Sequence, residues 1–93
     1  MMTAAVQARR LVRKGEFLKI LGDSKTQFHE NVKRRKVTAP VKIGDRVVAL
    51  PSDELDAIVA ARVAGLAEAE MQALVDRLHA QRKATLGAIL GHS

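Results

Sequence analysis

The chain has 93 residues, no cysteine and no long apolar run, which fits one domain with a modest core and excludes disulfides, thiolate metal sites and a helical membrane span. Its net charge of +6 is uneven: residues 1–50 carry twelve Lys or Arg against four acids, a net +8, while residues 51–93 carry four against six, a net −2. A basic first half points to a polyanionic partner, with nucleic acid foremost, because each phosphate neutralised by Lys or Arg releases condensed counterions.

In chain order, Met1-Met2-Thr3-Ala4-Ala5-Val6 runs into Arg9 and Arg10 instead of a hydrophobic signal core, so an unsecreted, cytoplasmic protein is expected. Thr3 to Leu21 is rich in helix formers, with apolar residues at Val6, Leu11, Val12, Phe17, Leu18 and Leu21 and an interruption at Gly15. This pattern predicts a basic N-terminal helix and then a short helix from about Lys14 or Gly15 to Leu21. Gly22-Asp23-Ser24 reads as a turn, with Gly22 at a helix C-terminus and Ser24-Lys25-Thr26-Gln27 as a capping box for the next helix.

That next helix, about Lys25 to Lys36, buries Phe28 and Val32 and leaves Lys25, Thr26, Gln27, His29, Glu30, Lys33 and Arg34 outside. Two helices joined by a tight glycine-containing turn carry the pattern of a helix-turn-helix, although helical hairpins of this kind also occur in proteins that bind no DNA. After Ala39-Pro40 the sequence changes to Val41 and Ile43, then Gly44-Asp45, then Val47, Val48 and Leu50. Two short strands around a turn are predicted, a wing whose tip carries Lys42, Asp45 and Arg46.

Ser52 is a candidate N-cap for a further helix, with Asp53, Glu54 and Asp56 favourably placed at its positive end and Leu55, Ile58, Val59 and Leu66 at helical spacing. Beyond Gly65, Leu66 to about Lys83 predicts a last helix with a Met71, Leu74, Leu78 stripe, and Thr85 to Ser93 a fraying tail. The stripe either forms a seam with another chain or packs back on its own domain. Phe17, Leu18, Leu21, Phe28, Val32, Val41, Val47, Leu55, Ile58 and Val59 are the predicted core.

The stretch Glu16-Phe17-Leu18-Lys19-Ile20-Leu21-Gly22-Asp23-Ser24-Lys25-Thr26-Gln27-Phe28 resembles the opening of AlpA-like and excisionase-type domains of the MerR superfamily. Ala39 to Leu50 is similar to their wing, and the helix from Ser52 matches the element after it. The likeness covers about Gly15 to Ala61, with no gap between helix pair and wing. It departs from the family at His29, where an aromatic is common, at Arg35, where glycine is common, and near Leu50, where a tryptophan is common. The resemblance implies a mainly α fold with a small β-hairpin, a winged helix-turn-helix whose second helix enters the major groove.

The expected organisation is a basic arm or helix over 1–14, a DNA-binding domain over 15–65, and a C-terminal helix and tail over 66–93 as a candidate oligomerisation element. Candidate DNA-contacting residues are Ser24, Lys25, Thr26, Gln27 and His29 for base edges, and Lys33, Arg34, Lys36, Lys42 and Arg46 for phosphates or an adjacent groove. The resemblance implies an excisionase-type recombination directionality factor that bends DNA for a tyrosine integrase, or a small transcriptional regulator. An antitoxin or adaptor that uses its last helix to hold a protein is the competing expectation.

Double-stranded DNA is the expected partner, with self-association on it and nucleoid localisation. No membrane and no small-molecule substrate are expected, since Phe17 and Phe28 are the only aromatics and membrane-lying helices normally add an aromatic or Leu-rich face. The scattered His29, His79 and His92, and the lack of a nucleophile with a paired base, give no expectation of an enzyme, a cofactor or a metal site.

Overall fold

The computed structural model describes residues 10–89, with side chains for residues 10–84. Strand β1 (Leu11–Arg13) is followed by helices α1 (Lys14–Leu21) and α2 (Lys25–Lys33), strands β2 (Val41–Lys42) and β3 (Val48–Pro51), and helices α3 (Ser52–Ala64) and α4 (Glu68–Ile89). The fold is thus mainly helical with one three-stranded antiparallel sheet in the order β1-β3-β2.

Strand β1 corrects the predicted N-terminal helix over its last residues; the rest of that helix, before Arg10, lies outside the described residues. Leu11, Val12 and Arg13 pair with Pro51, Leu50 and Ala49, and Ser52 N–H donates to Arg10 C=O at 2.7 Å. A two-stranded hairpin alone is marginal in water, and a third strand gives its central member partners on both edges. Val12 and Leu50 oppose each other across this pairing, both buried. That packing outweighs a modest helix propensity. Ser52 is also reassigned: its hydroxyl accepts from Arg10 N–H at 2.9 Å and makes no cap bond for α3, whose N-cap is Pro51.

The turn between α1 and α2 follows its local signals. Gly22 is left-handed at φ 74°, and the N–H groups of Gly22 and Asp23 reach Lys19 and Leu18 carbonyls, which satisfies the helix end. Ser24 and Gln27 form the reciprocal capping box. Phe17 and Phe28, one from each helix, meet with ring centroids 4.9 Å apart and form the centre of a core with Val12, Leu21, Val37, Leu50, Leu55, Ile58 and Ala61. Val41 and Val47 were expected in the core but are only half-buried, because β2 is an edge strand and Val47 flanks the turn at the hairpin's end.

Helix α2 stops at Lys33, three residues short of the predicted end. Arg35 adopts φ 57°, and the N–H groups of Arg35 and Lys36 bond to Val32 and Asn31 carbonyls, the termination that glycine usually provides. In the link to β2, Val37 and Thr38 are buried, and the Thr38 hydroxyl has no hydrogen-bond partner among the described residues. A buried, unsatisfied hydroxyl is a net cost. Thr38→Val, nearly the same shape, is expected to leave stability unchanged or raise it by about 1 kcal/mol, read as an equal or higher Tm.

Helix α4 begins two residues later than predicted and continues to Ile89, past the predicted end. Its Met71, Val75 and Leu78 are buried in the same core as α1 to α3, with Leu74 packed beside them. Of the two fates open to the stripe, packing within its own chain is the one observed.

Candidate nucleic-acid interface

Helix α2 is held at its start by a partly buried polar knot. Asp23, whose side chain is 8% exposed, pairs with Arg62 of α3, and both Asp23 oxygens accept from that guanidinium, at 3.2 and 3.1 Å. Arg62 also donates to Leu21 C=O at 3.1 Å, and Asn31 donates to Asp23 at 3.2 Å. Turn, α2 and α3 therefore share one charge-assisted network, which fixes how α2 leaves the core.

The outer face of α2 matches expectation in exposure: Lys25, Thr26, Gln27, His29, Glu30, Lys33 and the following Arg34 are exposed, while Phe28 is buried. Ser24 is exposed too, but its hydroxyl accepts from Gln27 N–H at 3.1 Å, and Gln27 Oε1 accepts from Ser24 N–H at 3.4 Å. Bidentate pairing of a Gln amide with adenine needs that same oxygen. Base contact by Gln27 therefore opens one half of the capping box. The His29 ring stands edge-on to Phe28 with centroids 6.0 Å apart.

The run Lys33-Arg34-Arg35-Lys36 divides in space. Lys33 and Arg34 are exposed. Arg35 pairs with Asp76 of α4 at 2.6 Å. Lys36 is half-buried and lines an open cavity of about 260 Å³ together with Asn31, Arg62, Leu66 and Met71. In the β2–β3 hairpin, Lys42 and Arg46 are both exposed, and Ile43 N–H donates to Val47 C=O at 2.9 Å to close the turn that carries Arg46.

Sequence reasoning missed the contribution of α4. Gln72 donates to Arg34 C=O at 2.9 Å, His79 Nε2 accepts from Ala39 N–H at 3.0 Å, and Arg82 donates to Ala39 C=O at 2.7 Å. Arg82 also makes a two-pronged ion pair with the buried Glu54 of α3, at 2.7 and 2.6 Å. A signal existed: Arg82 continues the Met71, Val75, Leu78 spacing, and Glu54 precedes Ile58 and Ala61 on the buried side of α3.

Among the described residues no group of three or more His, Cys, Asp or Glu is placed to hold a metal ion, and no helix is long and apolar enough to cross a membrane. The features define a small, basic, mainly helical domain whose exposed cations include Lys25 and Lys33 of α2, Arg34 at its C-cap, and Lys42 and Arg46 of a short hairpin, with Arg10, Arg13, Lys19, Arg77 and Lys83 exposed elsewhere. The chain matches no protein-family model, and no curated protein or solved structure is significantly similar to it.

Proposed function

We propose that this chain is a non-enzymatic, double-stranded DNA-binding protein that uses α1 and α2 as a helix-turn-helix and the β2–β3 hairpin as a wing. The observation that carries the reading is the exposure of Lys25, Lys33 and Arg34 on α2 and its C-cap together with Lys42 and Arg46 on the hairpin. Lys25, Thr26 and His29 present donors to base edges in the major groove, and Lys33, Arg34, Lys42 and Arg46 grip phosphates or a neighbouring groove. Lys36, half-buried beside Arg62, is a weaker candidate than its neighbours. From the sequence resemblance we take an excisionase-type directionality factor, which bends attachment-site DNA for an integrase, as the biological role; a small transcriptional regulator would use the same surface.

Helix α4 as a protein-capturing element, the antitoxin or adaptor reading, has less support, because its apolar stripe lies in the chain's own core. The DNA reading is tested by duplex affinity against salt, using a site selected from random duplexes. With about four phosphates neutralised, the slope of log K on log salt should be roughly −3 to −4, or about a 150-fold loss between 50 and 200 mM. Arg46→Ala or Lys33→Ala should each flatten that slope by about 1. A flat salt dependence, or wild-type slopes in both variants, would sink the proposal.

A further inference from the structure

Helix α4 holds the link between α2 and the hairpin at both ends. Directly after α2, Gln72 takes the Arg34 carbonyl and Asp76 takes the Arg35 side chain. Just before the hairpin, His79 takes the Ala39 N–H and Arg82 the Ala39 C=O. Gln72, Asp76, His79 and Arg82 follow one another at helical spacing, so a single rigid face carries all four. From residue 72 to residues 79–82 a helix rises about 10–15 Å, which is roughly 3–4 base-pair steps along B-DNA.

We propose that α4 is a gauge that sets the distance from α2 to the hairpin, and so the number of base pairs between the two DNA contacts, with Gln72, His79 and Arg82 as positioning residues. The proposal rests on reading α2 and the hairpin as the DNA-contacting elements. The link has no helix or strand of its own between Lys33 and Val41, and although Val37 and Thr38 anchor its middle in the core, no regular backbone ladder fixes its two ends. Backbone groups gripped from outside compensate for that. Two adjacent polar groups of one residue, Ala39, are held by two side chains one helical turn apart, so its peptide planes are fixed in orientation as well as position.

The test uses the full chain with Gln72→Ala/His79→Ala, and separately His79→Gln, whose amide oxygen can again accept from Ala39 N–H. Each variant loses at most two hydrogen bonds and leaves the apolar core intact, so both should fold, as a cooperative melt will verify. On the selected duplex, Arg46→Ala should weaken wild-type binding about tenfold, the worth of one hydrogen bond to a charged group. In the Gln72→Ala/His79→Ala background the same change should weaken binding less than twofold, because the hairpin no longer reaches its phosphate. His79→Gln, which keeps Gln72 and an acceptor for Ala39 N–H, should retain most of the Arg46 effect.

A purely structural role for α4 lowers Tm but leaves the tenfold Arg46 effect in place, and that result overturns the gauge alone. Wild-type protein that binds no duplex overturns the DNA reading and the gauge with it. Residual dipolar couplings on the free protein measure the geometry directly: a hairpin that turns relative to α2 in Gln72→Ala/His79→Ala supports the gauge, and an unmoved hairpin refutes it.

Discussion

A chain ending at Gly65 is expected to show no cooperative thermal transition, although it retains every candidate DNA-contacting residue. Met71, Val75 and Leu78 are 6%, 0% and 8% exposed, and burial of three such side chains contributes roughly 5–9 kcal/mol. Whole domains are stable by only about 5–15 kcal/mol. Truncation also removes Arg82, which pairs with Glu54, and three of the hydrogen bonds that hold the 34–39 link. Far-UV circular dichroism should show residual helix without a sharp melt. A truncated chain that melts cooperatively within about 5 °C of the full chain would mean that α4 contributes under about 1 kcal/mol, contrary to its packing. The C-terminal helix cannot then be deleted to separate DNA binding from protein binding, since the loss of either would follow from unfolding.

The elements that sequence reading placed well are those with local causes. Helices α1 and α2 and the turn between them follow from Gly22 and from the Ser24 capping box, all within a few residues. The hairpin is marked by Pro40 and Gly44-Asp45 flanked by β-branched residues. Strand β1 has no such cause: Leu11-Val12-Arg13 is extended only because β3, nearly forty residues later, offers an open edge. Arg35 hides its left-handed conformation in the same way, since nothing in a run of four cations marks one as a helix terminator.

In the candidate site, exposure along α2 and the hairpin was legible from periodicity. The fate of each cation was not. The Arg35 side chain is paired by Asp76 of α4 and Lys36 faces a cavity lined by Arg62 of α3 and Met71 of α4, and long-range partners of Lys and Arg leave little trace in a single sequence. Glu54 shows the limit most clearly. Its place in the first turn of α3 suits a helix-dipole role, yet it is 1% exposed and meets a guanidinium from the far helix.

That pair sets the second large effect. Arg82→Ala should lower stability by about 3 kcal/mol, at the lower end of the range for breaking a buried pair because Arg82 itself keeps 25% exposure. For a domain of this size the loss corresponds to a Tm drop of about 12–24 °C. Glu54→Leu/Arg82→Met should recover most of it, since apolar replacement of a buried pair is often neutral or stabilising. The double variant does not return a donor to Ala39 C=O, however, so recovered stability and recovered hairpin position come apart. A folded double variant with near-wild-type Tm but a diminished Arg46→Ala effect on duplex binding is the expected result. Should Arg82→Ala melt within about 4 °C of wild type, the ion pair contributes less than about 1 kcal/mol, and the stability ascribed to it must come from the surrounding apolar contacts.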